Sequence, residues 1–235
     1  MKLVPQAAPC LQMPLATLED LMKGDRAGYI ELCTASRQAP APVAWEGNGD
    51  LERYRRYTSE LAPLRLLSLP RVSLFACGLM ADSEGRIYDR GEFHADEVYA
   101  PEHPVNLNTG AYQRAADSGE LTLSDDLATR DIAEPCLVLA QCGWNIYGHW
   151  LLDILPKIPL CSLLPETVKV VLPVGIADWQ LQYLQLLGVS DEQVVTYDPG
   201  REILQLERAI CVSHLRQYYA LNPYANIAFD RVLAQ

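Results

Sequence analysis

The segment EPCLVLAQCGWNIYGHWLLDILP, residues 134–156, combines a short apolar run with a stretch of helical periodicity. Its part CLVLA, residues 136–140, is continuously apolar, as expected of a strand that is buried on both faces of a parallel sheet. From Asn145 to about Leu155, apolar residues recur with the spacing of an amphipathic helix. The segment therefore predicts a buried strand that leads into a helix, the repeating unit of α/β proteins.

The sequence that follows continues this alternation. VKVVLP (168–173) and EQVVTY (192–197) predict two more buried strands. Between them, IADWQLQYLQLLG (176–188) predicts a helix that stops at Gly188. Strands and helices in this order build a parallel sheet with crossover helices. The expected fold class is therefore α/β, with a Rossmann-like parallel sheet.

Three further elements are expected towards the C-terminus. EILQL (202–206) and RAICVS (208–213) predict two short strands. NPYANIAFDRVLA (222–234) predicts a final helix, with Asn222 as its cap and Pro223 at its first helical position. The C-terminal part of the chain thus adds strands and a helix to the same α/β unit.

A β-rich region precedes the parallel part. RVSLFACGLM and RIYDR, residues 71–80 and 86–90, predict the two strands of a hairpin. We therefore divide the chain into an N-terminal extension and linker (1–62), a β-hairpin region (63–134) and a βαβαβ region (135–235). The last two together form one Rossmann-like domain in this prediction.

The composition indicates an ordered globular protein. Hydrophobic residues make up 49% of the 235 residues and charged residues 21%, so the chain can bury a core. The net charge of −11 disfavours binding to nucleic acid or to anionic lipid. Prolines interrupt the N-terminal apolar residues, and no apolar run is long enough to span a membrane. The expected location is the cytoplasm, with any contact to the inner membrane made through partners.

The cysteine pattern agrees with a reducing compartment. The chain has seven cysteines, an odd number, and no pair has Cys-x-x-Cys spacing. Several lie inside apolar runs, where a thiol behaves as a small hydrophobic group. These features favour buried free thiols over disulfides or a zinc site.

Polar residues recur at every fourth position along the predicted helix. They are Asn145, His149, Asp153 and Lys157. Pro156 lacks the N–H of a helical residue, so the helix is expected to kink or end there. The helix begins at the carboxyl end of CLVLA, where open parallel sheets bind ligands, and this position favours a functional site. The alternative is that the polar residues form the solvated side of an amphipathic helix.

The segment NIYGHWLLDILPKI, residues 145–158, resembles the Asn-x-x-x-His-Trp-x-x-Asp/Glu-x-x-Pro-Arg signature of glycosyltransferase family sixty-one, which includes bacterial capsular polysaccharide enzymes. Trp150 and Pro156 match its framing positions, and Lys157 stands where Arg is common. The hairpin before the motif and VKVVLP, QYLQLLGV and QVVTY after it follow the order of elements in that family. The resemblance covers roughly residues 65–235.

The resemblance implies transfer of a sugar from a nucleotide-sugar donor to an acceptor hydroxyl, with inversion at the anomeric carbon, in polysaccharide or glycan biosynthesis. Enzymes of this family have two Rossmann-like domains that face each other across a cleft, and the motif belongs to the acceptor-side half. The features of the donor-binding domain are not recognisable in this sequence, so a truncated form is expected. Its implied partners are a nucleotide sugar, a glycan acceptor and a second domain or second copy. No cofactor is implied.

Carried over by position, His149 and Asp153 are the candidate catalytic residues. Inverting transfer needs a base beside the acceptor hydroxyl and positive charge near the departing diphosphate. His149 could be the base with Asp153 orienting it, or Asp153 could be the base with His149 binding the sugar, and the sequence leaves both open. Asn145, Trp150 and Lys157 are the candidate substrate-binding residues, although Asn145 could instead cap the helix.

Two other interpretations involve no sugar transfer. A Rossmann-like half could bind a glycan or a partner protein without catalysis, using the same polar residues. Cys142 lies seven residues before His149 and could be a nucleophile. Enzymes of the Cys-His type take their histidine from a distant segment, however, and no supporting motif is present.

A metal site is a further alternative in the segment EFHADE. Glu92, His94 and Asp96 would share one face of a strand, but exposed polar residues on an edge strand are more common, and we expect no metal. His103 and His214 have no partner that is visible in the sequence. They are expected to be structural or surface residues.

Overall fold

The computed structural model describes residues 2–9, 22, 26–34, 36–38, 59–61, 63–89, 104–117, 120–165, 168–217 and 220–235. The strands are β1 (Lys2–Pro9), β2 (Gly28–Cys33), β3 (Ser36–Gln38), β4 (Ser59–Leu61), β5 (Leu64–Phe75), β6 (Leu79–Ala81), β7 (Arg86–Asp89), β8 (Tyr112–Arg114), β9 (Leu121–Leu123), β10 (Ala128–Ile132), β11 (Cys136–Val138), β12 (Lys169–Pro173), β13 (Val194–Tyr197), β14 (Glu202–Val212), β15 (Arg216–Gln217) and β16 (Ala220–Leu221). The α-helices are α1 (Pro104–Leu107), α2 (Tyr147–His149), α3 (Asp178–Leu186) and α4 (Asn226–Leu233). A π turn lies at Trp150–Ile154, and 3-10 helices lie at Leu155–Leu163, Asp191–Gln193 and Pro223–Ala225. The described residues therefore form a mixed α/β fold.

Four neighbouring strands of the main sheet run parallel to one another, in the order β13-β12-β11-β14. Strand β11 pairs with β12 and β14, and β12 pairs with β13, all in parallel. The chain crosses from β11 to β12 through helical residues 147–163 and from β12 to β13 through α3. These crossovers confirm the predicted alternation. Antiparallel pairs, such as that of β14 with β5, make the whole sheet mixed.

Strand β11 is buried on both faces, as its continuous apolar sequence predicts. Leu137 and Leu139 belong to a core cluster that includes Trp150 and Ile154 from the helical crossover. Val138 points to the opposite face, where a second cluster includes residues of the hairpin strands. The helical crossover therefore packs on one face of β11, and the second cluster joins the other face of β11 to the same face of β5 and β6 within one sheet.

One long strand replaces the two strands predicted for residues 202–206 and 208–213. The first part of β14 pairs with β10 and the second part with β11. Strand β5 pairs with the opposite edge of β14 along both of these parts. This continuous pairing keeps β14 extended through the exposed residue Glu207. The connection from β13 to β14 is a tight turn at residues 198–201 rather than a helix.

The predicted hairpin is confirmed only for its second half. The strand predicted over residues 71–80 is wrong, because a turn at residues 76–78, with positive φ values of 46° at Ala76 and 94° at Gly78, folds it into β5 and β6, which pair with each other in antiparallel. Strand β7 then returns beside β6. Strands β1 and β2, from the predicted extension, pair with strands of the same sheet. The boundary between residues 62 and 63 stays a prediction.

The predicted α-helix over residues 145–155 is wrong in type and in length. Only α2 is α-helical, and the π turn and the 3-10 helix carry the helical path through Pro156 as far as Leu163. Pro156 lies in the first turn of the 3-10 helix. A proline costs no helical hydrogen bond there, because the N–H groups of the first turn have no acceptor within the helix. Helix α4 packs across this 3-10 helix. Residues 153–160 are all buried, so the polar side predicted for this helix is not solvated at Asp153 or Lys157.

Two predicted helix ends are confirmed. Gly188 follows α3 with φ +88°, the left-handed conformation that commonly stops a helix. The side chain of Asn222 accepts a hydrogen bond from the backbone N–H of Tyr224, and Pro223 occupies the first helical position of the turn that leads into α4.

Candidate functional site

The candidate site lies where two neighbouring parallel strands end. Strand β11 leads into Gln141 and then into the helical residues 147–163, which we call the site helix. Strand β14 leads into Ser213 and His214. The order of strands reverses here, because β12 and β13 lie on one side of β11 and β14 lies on the other. Ligands of open α/β sheets bind outside the carboxyl ends of strands at such a reversal.

An aspartate between two imidazoles forms the centre of the site. Asp153 Oδ2 is 2.7 Å from His149 Nδ1, and Asp153 Oδ1 is 3.3 Å from His214 Nε2. The side chains of Asp153 and His214 are only 2% and 5% exposed, whereas that of His149 is 38% exposed. Each carboxylate oxygen therefore faces one imidazole, and His149 is the member of the group that solvent reaches.

The imidazole of His149 rests on a glycine in the turn after β11. Gly143 has φ +79°, and a Cβ atom built at this position would lie 2.9 Å from His149 Cδ2. Only a residue without a side chain lets the ring come this close, and the backbone conformation itself favours glycine. Gly143 thus fixes one side of the ring while Asp153 holds Nδ1.

The other ring nitrogen of His149 is available for chemistry. Within the described part of the chain, His149 Nε2 has no hydrogen-bond partner. Asp153 is closed off from solvent, so a hydroxyl group that arrives from outside meets His149 first. An imidazole in this setting can accept a proton at Nε2 from a hydroxyl group, and the carboxylate at Nδ1 stabilises the charge that results.

Lys157 is buried, in contrast to its expected place on a polar surface. Its Nζ donates a hydrogen bond of 3.0 Å to Gln141 Oε1, and both side chains are closed off from solvent. The contact links the site helix to the turn that follows β11. Its predicted role in substrate binding stays a prediction, and its position is that of an internal link between the two segments that form the site.

Asn145 and Trp150 also differ from expectation. The residue that precedes α2 as its cap is Ile146, and no side chain makes a capping hydrogen bond there, so the prediction that Asn145 caps the helix is wrong. Asn145 is exposed in the turn before the helix. Trp150 is fully buried in the core. It packs against core residues, and its proposed contact with a substrate stays a prediction.

Aromatic residues extend the site beyond the imidazole. Trp179 on α3 lies 5.3 Å from Tyr147, 5.8 Å from Trp150 and 6.2 Å from Tyr183, measured between ring centroids. We call these four residues the aromatic cluster. Tyr147 is 58% exposed and lies two residues before His149. Exposed aromatic surface beside a few polar groups is typical of ligand sites.

His214 belongs to the site but was not predicted as a member of it. It was expected to be structural or on the surface, and its buried side chain contacts Asp153 from the end of β14. The signal that could have identified it is its position. Like Asn145, it follows a predicted strand of the parallel sheet at the carboxyl end, where ligands bind.

Cys142 lies in an environment that does not suit a nucleophile. Its side chain is buried, and a hydrogen bond with the thiol of Cys77 raises its pKa above the ordinary value, with burial adding to the effect. A nucleophilic cysteine needs an accessible thiol with a lowered pKa. The location of Cys142 next to Gly143 therefore supports a packing role.

This environment predicts slow alkylation of Cys142 in the folded protein. We expect iodoacetamide to modify the exposed thiol of Cys33 well before that of Cys142, because the buried thiol is rarely ionised and rarely accessible. Mass spectrometry of digested samples after timed alkylation measures both sites, and alkylation in denaturant is the control for intrinsic reactivity. Equal rates at Cys142 and Cys33 in the folded protein would restore the nucleophile hypothesis.

The predicted alternative metal site, at Glu92, His94 and Asp96, lies outside the described residues, as does His103. Within the ranges that the structure describes, no three His, Cys, Asp or Glu side chains are grouped so that they could hold a metal ion. In the same ranges, no helix combines the length and apolar character needed to cross a membrane.

Comparison of the chain with known protein families, with curated proteins and with solved structures gives no match. The resemblance to glycosyltransferase family sixty-one therefore depends on the motif in the sequence.

Proposed function

We propose that the chain is the acceptor side of an inverting glycosyltransferase, which transfers a sugar from a nucleotide-sugar donor to a glycan hydroxyl. The observation that carries this proposal is the contact between His149 and Asp153 at the carboxyl ends of the parallel strands. It supplies the acid–base pair that the motif implies, in the part of an α/β sheet that binds ligands. A Rossmann-like assignment of the parallel strands, in the order β13-β12-β11-β14, belongs to the same proposal.

In this mechanism His149 is the base. Its Nε2 accepts the proton of the acceptor hydroxyl as the oxygen forms a bond to the anomeric carbon of the donor sugar. The bond from that carbon to the diphosphate oxygen breaks on the opposite side, and the nucleoside diphosphate leaves with the electron pair. Asp153 stabilises the imidazolium through Nδ1. The exposure of His149 and the burial of Asp153 favour this assignment over a mechanism with Asp153 as base.

Lys157 does not meet the leaving group in this mechanism, because its ammonium is buried against Gln141. Positive charge for the diphosphate comes from another source, such as a donor-binding domain or a second copy of the chain. Both belong to the partners that the resemblance implies.

A second candidate function is glycan binding without catalysis, and the aromatic cluster favours it. The exposed ring of Tyr147 offers a flat apolar surface next to the hydrogen-bonding groups of His149 and Asn145. Ligand sites combine apolar and aromatic surface with a few placed polar groups, and a sugar ring has both kinds of surface. The same residues would then recognise the glycan but would not activate its hydroxyl.

The decisive experiment supplies nucleoside diphosphate sugars and mixed glycan acceptors to the chain at concentrations high enough for a second copy to provide the positive charge at the diphosphate. We expect release of nucleoside diphosphate together with a glycosylated product of inverted anomeric configuration, measured by a coupled assay and by NMR. His149→Gln should lower turnover by about 10²- to 10⁴-fold, because the imidazole is the proposed base. Glu207→Gln, at an exposed position in the middle of β14, is the matched control and should retain turnover.

The same samples separate the two candidate functions. Glycan binding by calorimetry without any turnover, lost in Tyr147→Ala and kept in His149→Gln, would favour the binding module. The absence of both transfer and glycan binding across the panel would contradict both proposals.

A further inference from the structure

His214 reaches the site from a different strand than the motif. It follows β14, whereas His149 and Asp153 lie on the site helix that follows β11. Its Nε2 lies 3.3 Å from Asp153 Oδ1, and its side chain is 5% exposed. The buried side chains of Asp153 and His214, which lie in segments that follow neighbouring strands, are therefore in contact on the Nδ1 side of the exposed His149 imidazole.

The chemistry of the carboxylate determines which nitrogens carry hydrogen. An ionised carboxylate only accepts hydrogen bonds, so an ionised Asp153 favours hydrogen on each ring nitrogen that faces it. This arrangement places hydrogen on Nδ1 of His149 and on Nε2 of His214. In neutral imidazoles this leaves His149 Nε2 as an acceptor, which is the form that a base requires.

Contacts on two different oxygens also constrain the orientation of the carboxylate. His149 Nδ1 is 2.7 Å from Oδ2, and His214 Nε2 is 3.3 Å from Oδ1. The second contact restricts rotation of the carboxylate group. Gly143 sets the position of the ring from the other side.

We propose that His214 is a positioning residue for His149: it donates to Asp153 Oδ1 and thereby holds Oδ2 where it keeps His149 in the Nδ1-protonated tautomer. The effect on turnover rests on the proposed function. The tautomer of His149 does not, because it is a property of the free protein and is measured without substrate.

The test is a pH series of ¹⁵N NMR spectra of the histidine rings in the full chain, read at the pH where the spectra themselves show the rings to be neutral. In the unmodified protein we expect His149 to be protonated at Nδ1 and His214 at Nε2. The opposite tautomer at either residue would overturn the proposal, and this measurement requires no substitution.

Two substitutions of His214 distinguish a role in positioning Asp153 from a role in packing alone. His214→Phe fills a similar volume without a donor, whereas His214→Gln keeps an N–H group that can reach Asp153. We expect His149 to become a mixture of tautomers in His214→Phe and to return to the Nδ1-protonated form in His214→Gln. Turnover should fall about 100-fold in His214→Phe, with the KM for the donor unchanged, and recover in His214→Gln.

The outcomes also separate this proposal from the proposed function. The expected tautomers in a protein without transferase activity would support the role of His214 and count against sugar transfer. Measurable transfer, with an unchanged His149 tautomer in a folded His214→Phe variant, would overturn the role of His214 and leave the proposed function standing.

Discussion

Asp153→Asn is expected to lower turnover by about 10³- to 10⁴-fold while leaving the fold intact. The carboxylate has two accepting oxygens, and each faces one imidazole nitrogen. An amide has one accepting oxygen and one donating NH₂ group, so it can satisfy only one imidazole donor. If the NH₂ group faces His149, the ring must present an unprotonated Nδ1 and carry its hydrogen on Nε2. The ring can then no longer accept a proton from the acceptor.

The matched control for this substitution is Asp230→Asn, which makes the same chemical change at an exposed position of α4. Turnover at saturating donor and acceptor, together with circular dichroism, distinguishes loss of chemistry from loss of fold. If Asp153→Asn and Asp230→Asn differ by less than tenfold in turnover, the carboxylate does not orient the base and the proposed mechanism fails.

Gly143→Ala is expected to affect both the stability of the protein and the position of His149. Backbone strain at φ +79° costs about 1–3 kcal/mol for a residue with a side chain. The added Cβ would also lie 2.9 Å from His149 Cδ2, so the imidazole must move, and crowding of this kind costs a further 1–3 kcal/mol or so. Displacement of a catalytic group by about 1 Å lowers turnover by about 10²-fold.

Gly188→Ala is the control, because it introduces a comparable backbone strain but brings the new Cβ atom into contact with no other residue. Gly188 has φ +88°, and no atom lies within 4 Å of a Cβ built there. Chemical denaturation of both variants measures the two costs, and their difference reports the contact with the imidazole. Equal destabilisation, with normal turnover in Gly143→Ala, would show that His149 does not depend on this contact.

Local sequence patterns predicted the elements that carry the site. Strand β11 could be predicted because CLVLA is apolar without interruption, and the structure buries it on both faces. The four-residue spacing between His149 and Asp153 predicted a side-chain contact along a helix, and His149 Nδ1 lies 2.7 Å from Asp153 Oδ2. The helix type could not be predicted, because π and 3-10 turns give no separate signal in a short sequence.

The burial of Asp153 and Lys157 could not be predicted from periodicity. An amphipathic pattern describes how one helix packs against one surface, whereas Asp153 is enclosed beside His214 from the end of β14 and Lys157 lies in a helix that Gln141 and α4 also contact. The interpretation of 202–206 and 208–213 as two strands failed for a related reason. Pairing with β5 along both parts of β14 decides its length, and that pairing is invisible in the strand's own sequence.

The sequence by itself determined the alternation of strands and helices, the two-sided burial of β11 and the placement of His149 beside Asp153, because each depends on residues within a few positions of one another. Only the tertiary structure decided that Asp153 is enclosed, that Gln141 holds Lys157 and that His214 joins the group. Those contacts form where separate strand ends meet in space, and the meeting point is set by the pairing of β11 with β14 rather than by any local pattern.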